Sequence, residues 1–133
     1  MKIALVLRDD LLPAHAANAA AVLGLALGGR LPDSVAPDGT DASGTTHAGL
    51  NPIPVPTLVA SAVQLVDLFT TASSDEALTV VGFNEVARHA RTYPAYEEAL
   101  GRTPTDDIAY IGVIVHGPRD RVTKLTRRLS LFA

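Results

Sequence analysis

Two acidic residues stand just after apolar segments that have the length of buried strands. Asp10 follows the run from Ile3 to Leu7, and Glu85 follows a run that ends at Phe83. A carboxylate next to a strand end is well placed to orient a water molecule. Open α/β sheets also bind their ligands outside the carboxyl ends of their strands. We therefore expect Asp10 and Glu85 to lie at such ends and to open onto a common hollow.

Structural roles compete with these chemical ones. Asp9 and Asp10 belong to the residue types that cap helices, with Arg8 as their ion-pair partner. Glu85 and Arg88 are three residues apart, so on a helical turn they would form an ordinary surface pair. The basic residues near the C-terminus are typical of a solvated helix face: Arg119, Arg121, Lys124, Arg127 and Arg128.

The composition excludes several kinds of site. The chain has 133 residues, 47% of them hydrophobic, which suits a single domain over residues 1–133. It contains no cysteine, so disulfides, zinc–thiolate sites and a cysteine nucleophile are excluded. The four histidines are not spaced as metal ligands, and no G-x-S-x-G motif occurs. We predict no metal site and no cofactor.

Charge and apolar runs bear on partners and location. The net charge is −3, whereas nucleic-acid binders are usually basic, which counts mildly against tRNA. Arg8, Asp9 and Asp10 interrupt the first apolar run too early for a signal peptide. No apolar stretch reaches the roughly 18 residues of a membrane span. We expect a cytoplasmic protein without a membrane partner, and its apolar content is compatible with a homodimer.

Strand and helix patterns alternate along the chain, which predicts a sheet covered on both faces. The predicted strands are 3–7, 55–60, 78–83 and 108–115. The predicted helices run from Pro13 to about Leu27, after Ser61, over 94–100 and after Pro118. Ser61 and Gln64 match a capping box at the start of the second helix.

Residues 31–54 are dominated by Pro, Gly, Asp, Ser and Thr. A structureless loop of this length is unusual in a compact domain. Asp38-Gly39 is a hairpin-turn signal, so we expect a small irregular excursion with its turn there. The alternative is a mobile lid.

Two segments resemble the type II peptidyl-tRNA hydrolases. Residues 6–11, Val-Leu-Arg-Asp-Asp-Leu, are similar to that family's opening strand, which ends in an apolar pair, Arg, a variable residue, Asp and Leu. Residues 117–132 carry Gly-Pro, an Asp, Lys-Leu-Thr and Leu-Ser-Leu-Phe, as in the family's closing segment. The chain looks closer still to an uncharacterised bacterial branch, domain of unknown function two-thousand. The resemblance implies a three-layer α/β/α sandwich with a four-stranded mixed sheet.

The resemblance also implies which residues would form a site. Two lysine positions of the hydrolases hold His15 and Ala17 here. Lysine suits a phosphate or a developing oxyanion, and His15 could replace it only when protonated. The family's acid, two small residues, Arg and Thr correspond to residues 85–89, where Glu85 and Arg88 are retained and His89 replaces Thr.

Glu85, Arg88 and His15 are therefore the candidate catalytic residues. The candidate ligand-binding residues are Arg8, Asp10, His89 and His116. His116, which precedes Gly117, either covers a strand end or lines a site.

Two functions follow from these observations. We favour a module that binds a small ligand or a protein and has a degenerate catalytic site. The alternative is a hydrolase of peptidyl-tRNA or a related ester, in which Glu85 activates water while Arg88 and His15 stabilise negative charge. The missing lysines, the acidic balance and the 5% aromatic content count against hydrolysis. Either site requires the first and third strands to lie near each other in one sheet.

Overall fold

The apolar run near the N-terminus forms the central strand of a five-stranded mixed sheet. A computed structural model describes residues 1–133. Its elements are, in chain order, β1 (Lys2–Arg8), α1 (Pro13–Gly28), β2 (Gly39–Thr40), β3 (Thr46–His47), β4 (Thr57–Ala60), α2 (Ala62–Ser73), β5 (Thr79–Asn84), α3 (Glu85–His89), α4 (Tyr93–Gly101), a 3₁₀ turn (Thr105–Asp107), β6 (Tyr110–Gly117), α5 (Arg119–Thr126) and β7 (Ser130–Leu131).

The strand order in the main sheet is β5-β6-β1-β4-β7. β1 and β4 are parallel, and the other three pairings are antiparallel. The expectation of a mixed sheet is confirmed, but the expected number of four strands is wrong. The fifth strand is β7, in which Leu131 pairs with Leu58 at the edge of β4. A strand of two residues carries too little periodicity to be recognised from sequence.

β1 is buried on both faces, as a continuous apolar run predicts. Ala4 and Val6 belong to a core cluster that packs against α2 and α5. Ile3, Leu5 and Leu7 belong to a second cluster, on the side of α1. The sheet therefore lies between α1 on one face and α2 with α5 on the other, in three layers.

The two longest helices differ in how they begin. α2 begins with the predicted capping box, in which Ser61 and Gln64 bond each other's backbone amides. α1 begins after Leu12 with no side-chain cap, so the prediction that Asp9 or Asp10 caps this helix is wrong. Pro13 at the first position fixes a helical φ and lacks an amide that would need a partner. Asp10 is instead held by Arg8.

Residues 31–54 form an ordered excursion that contains the β2–β3 hairpin. The predicted turn at Asp38-Gly39 is wrong, because Gly39 already belongs to β2 and Asp38 accepts the Gly49 amide at 2.9 Å. The turn lies further on, where Asp41 accepts two amides and Gly44 takes φ 89°.

The excursion closes where its two arms meet. The Ala36 amide donates to the Leu50 carbonyl at 2.9 Å. Gly49 lies against the Ala36 carbonyl so closely that any Cβ at residue 49 would overlap it. Only glycine allows the two backbones to approach in this way.

None of the helices combines the length and the apolar character needed to cross a membrane.

Candidate functional site

Strand directions bring the ends of β1 and β5 to one edge of the sheet. β6 lies between these strands and is antiparallel to both, so their carboxyl ends point the same way. β5 ends in an irregularity between Phe83 and Asn84. The Asn84 side chain then caps α3 by accepting the Ala87 amide at 2.9 Å. This cap places Glu85 at the beginning of a helix just beyond the sheet end.

Arg8, the last residue of β1, bridges both acidic ends. Its Nε donates to Asp10 at 2.6 Å, its Nη2 to Glu85 Oε1 at 3.1 Å, and its Nη1 to the Tyr110 carbonyl at 3.2 Å. Burial opposes the charge on Arg8, but its bonds to Asp10 and Glu85 outweigh this and raise its pKa. The same bond to Arg8 holds the pKa of the Asp10 carboxyl below its usual range.

Arg88 continues the network on the other side of Glu85. Its Nε donates to Glu85 Oε2 at 3.1 Å, and its Nη1 lies 3.3 Å from His15 Nδ1. The structure therefore brings together six of the seven candidate residues predicted from the sequence, because His89 also contacts Glu85. We call five of them, Arg8, Asp10, His15, Glu85 and Arg88, the polar cluster.

Hydrogen bonding assigns the tautomers of two histidines. A guanidinium only donates, so His15 Nδ1 accepts from Arg88 and the ring proton lies on Nε2. His89 Nδ1 lies 2.7 Å from the Glu85 carbonyl, which only accepts, so this nitrogen carries a proton. The same nitrogen is 3.4 Å from Glu85 Oε2. His15 thus presents a donor to solvent, and neutral His89 presents an acceptor.

His89 faces away from the rest of the group, into a shallow depression of about 550 Å³ between α3 and α4. Glu85 also lines this depression, together with Arg91. Glu85 is therefore the residue shared by the polar cluster and the depression.

The charges of the polar cluster balance one another. Two carboxylates pair with two guanidiniums, and the arginine side chains are 14% and 31% exposed. All three nitrogens of Arg8 are used within the chain, so Arg8 acts as a bridge. Nη2 of Arg88 remains free for another partner. The arrangement can hold one anionic group at Arg88 Nη2 while Glu85 and His15 fix the orientation of Arg88.

His116 does not belong to this group. It lies in β6 opposite Ile3, at the other end of the sheet. His116 lines a cavity at this end, and its role in a site stays a prediction. The predicted ligand-binding role of His116 thus concerns a different location from that of Arg8 and Asp10.

That cavity has a volume of about 840 Å³, and the sequence did not predict it. We call it the apolar cavity. It lies on the α1 side of the sheet, between the C-terminal half of α1, residues 31–35 and residues 51–55. Its walls include Ile3, Leu5, Gly24, Leu27, Ile53 and Ile114. The one sequence signal was the pair of glycines inside an otherwise alanine-rich helix.

No group of three or more His, Asp or Glu side chains is arranged to hold a metal ion.

Fold and site together define a class: a three-layer mixed α/β domain with an ion-paired cluster at the carboxyl ends of two of its strands. The chain belongs to the family described as protein of unknown function (DUF2000), whose profile matches residues 1–133. The predicted membership of this family of unknown function is thereby confirmed.

A solved structure of a protein of unknown function from Agrobacterium tumefaciens has the same fold. It is 21% identical, the alignment covers 99% of this chain and 97% of that one, and the TM-score is 0.86. None of the curated proteins matches the sequence.

Proposed function

We propose that the protein is a small-ligand-binding module with the shape of a type II peptidyl-tRNA hydrolase and a degenerate catalytic site. The proposal is carried by the distribution of hydrogen bonds in the polar cluster. Both oxygens of Glu85 accept from guanidinium groups, whereas Arg88 Nη2 and the Nε2–H of His15 have no partner in the chain. A site with spare donors and an occupied carboxylate is suited to binding an anion.

The relation to the hydrolases rests on the two segments that resemble them. Residues 6–11 supply Arg8 and Asp10 to the polar cluster, and residues 117–132 form α5 and β7. The lysine positions of the hydrolase phrase hold His15 and Ala17, which removes two cations. Binding of an RNA backbone depends on such cations. The proposal therefore names a small ligand and not tRNA.

The free atoms of the polar cluster define the chemistry of the ligand. A carboxylate or phosphate oxygen can accept from Arg88 Nη2, next to the nitrogen that His15 holds. Asp10 is 65% exposed, and only its Oδ1 is bonded, so its other oxygen can accept from a hydroxyl or ammonium group. A ligand with an anionic group beside a hydrogen-bond donor satisfies both requirements.

Titration with inorganic phosphate, followed by the side-chain NMR signals of Arg88 and His15, tests anion binding. We expect both signals to shift, with a Kd of about 1 mM. Arg88→Gln should weaken binding about tenfold. Arg128→Gln removes the same charge at an exposed position and should have no effect. The proposal fails if phosphate leaves both signals unmoved, or if the two variants bind alike.

One observation favours a hydrolase as the second candidate. His89 Nδ1 is oriented by Glu85, through both its carbonyl and its carboxylate, which leaves Nε2 as an acceptor that could take a proton from water. His89 is 71% exposed, however, and no nucleophilic side chain contacts it.

Incubation with N-acetyl-aminoacyl-tRNA separates the two candidates. The binding module should release no free tRNA, even with protein in excess over substrate. Turnover that is abolished by Glu85→Gln and by His89→Gln, with Arg128→Gln unaffected, would establish the hydrolase instead.

A further inference from the structure

The apolar cavity and the polar cluster are separate places. Leu5 is the cavity residue of β1 nearest to Arg8, so the two sites are three residues, or roughly 10 Å, apart along β1. The cavity lies on the α1 face near the amino end of β1, whereas the cluster lies beyond its carboxyl end. The two sites share no lining residue.

The apolar cavity has the size and shape of a small-molecule site. Its volume of about 840 Å³ lies within the roughly 300–1,000 Å³ of such pockets. Sheet, helix and loop each contribute a wall, so the hollow is concave and not a flat patch. Leu25 and Val35, at its edge, are 80% and 57% exposed, which extends the apolar surface outward.

Two glycines on α1 create part of this space. A Cβ at Gly24 would meet no atom within 4 Å, and one at Gly28 would meet only Ser34 Oγ, at 3.8 Å. Gly24 does not have a positive φ, so its backbone conformation does not demand glycine. Glycine in a helix costs about 1 kcal/mol relative to alanine. Gly24 thus destabilises α1, and its only visible effect in the structure is to leave the cavity open.

His116 and Asp33 both line the cavity without a side-chain hydrogen bond. The polar atoms of Ser34, Asn51 and Thr57 bond to nearby carbonyls. The ring nitrogens of His116 are not fully buried, and a carboxylate such as that of Asp33 only accepts. A neutral imidazole offers one donor and one acceptor.

We propose that the apolar cavity binds an aliphatic small molecule with one terminal oxygen-bearing group, and that His116 hydrogen-bonds that group. Largely apolar walls with a few polar residues, of which His116 can both donate and accept, fit an amphiphile of this kind, because the chain is removed from water and its polar end keeps a partner. The carboxyl and hydroxyl forms of such a molecule share this chemistry. A hollow with three walls suits a small molecule better than the flat surface of a second copy.

Isothermal titration calorimetry with decanoic acid and with 1-decanol tests the proposal. We expect at least one of the two to bind with one-to-one stoichiometry and to shift the NMR signals of Gly24 and Ile114. Binding of the acid alone would identify a carboxyl ligand, and binding of the alcohol alone a hydroxyl ligand. Absence of binding by both would overturn the proposal.

Gly24→Leu is the decisive variant, because leucine enters space that is open and should occupy it without disturbing the fold. We expect at least about a tenfold loss of affinity, with a Tm no lower than that of the unmodified protein. Gly101→Leu makes the same change at another helical glycine with open space, away from the cavity, and should leave affinity unchanged. Equal binding by both variants would overturn the proposal.

His116→Leu should weaken binding about three- to tenfold, since one hydrogen bond is lost while the apolar walls remain. Arg88→Gln, which alters the polar cluster, should bind decanoic acid or 1-decanol as well as the unmodified protein does. This result keeps failure of the cavity proposal distinct from failure of anion binding at the cluster. If the apolar surface instead serves self-association, the protein will dimerise with rising concentration and neither compound will bind, which contradicts the proposal.

Discussion

The two ends of the sheet are filled in opposite ways. At the carboxyl end of β1, both oxygens of Glu85 are paired, and a Cβ at nearby Gly112 would lie 2.8 Å from a Leu7 methyl carbon. At the amino end, Gly24 faces empty space and His116 has no partner. Charge pairs and close packing use up the room at one end, whereas the other end keeps a hollow. The residues that the sequence marks as candidates for catalysis thus lie where charged groups are already paired and side chains are closely packed.

Gly112→Val should break the close packing at the carboxyl end and have the largest effect. The added side chain would meet Leu23 and the Val6 carbonyl as well as Leu7, and backbone atoms cannot move aside. We expect the free energy of unfolding in urea to fall by about 3 kcal/mol. Gly39→Val is the matched control, because a Cβ there meets nothing within 4 Å and β2 is exposed. Equal losses of unfolding free energy in the two variants would show that the carboxyl end of β1 is not closely packed around Gly112.

Arg8→Met should have the next largest effect. Methionine keeps much of the apolar stem but leaves Glu85 Oε1 and the Tyr110 carbonyl without the donors that Arg8 supplies. We expect a loss of about 2 kcal/mol in urea unfolding. Arg102→Met removes an arginine that pairs with Glu98 on the surface, and its urea midpoint should match that of the unmodified protein. A midpoint for Arg8→Met that also matches would mean that the bridge contributes nothing.

Gly24→Leu should act in the opposite direction. Helix propensity favours leucine over glycine, and the cavity accepts the side chain without overlap. The free energy of unfolding should rise by about 0.8 kcal/mol. A fall in stability would show that the space beside α1 is not open, and the contrast between the two ends would then be lost.

The smallest expected effect is a dependence on pH. Burial, together with the positive N-terminus, lowers the pKa of His116 below the ordinary histidine value of 6.5. The unfolded chain therefore binds more protons than the folded chain between the two pKa values. The contribution of His116 is fully present above pH 6.5 and is lost as pH falls through the folded pKa.

Urea midpoints measured from about pH 7.5 to about pH 5 check this sign. His116→Gln should show a shallower decline towards acid than the unmodified protein. Identical slopes would mean that His116 titrates in the folded protein as it does in the unfolded chain.

Sequence reasoning was most successful where a property is local and periodic. The apolar run of β1 and the Ser61–Gln64 capping box were predicted and are present. The convergence of Asp10 and Glu85 was also accessible, because it follows from strand direction. Sequence reasoning failed for the cap of α1. Asp10 could bond either the first amides of the helix or Arg8, and the choice of Arg8 depends on where that side chain lies in three dimensions.

The apolar cavity could not be predicted for a different reason. Its walls come from α1, from three strands or their approaches and from both arms of the 31–54 excursion. The path of the excursion is fixed by contacts such as Gly49 against Ala36, which couple residues 13 positions apart. No periodicity in the sequence encodes such a path, so only the folded chain reveals the space that it encloses.

The close approach of Gly49 to Ala36, which we call the neck, also separates the cavity-lining arms of the excursion from its hairpin tip. The arms nearer the sheet, residues 31–35 and 51–55, line the cavity, while the side-chain hydrogen bonds of Asp41 hold the hairpin tip to itself. Lengthening the tip changes the closure entropy of the loop only slowly. A fluorescent peptide inserted between Asp41 and Gly44 would therefore report on ligand entry without altering the walls that receive it.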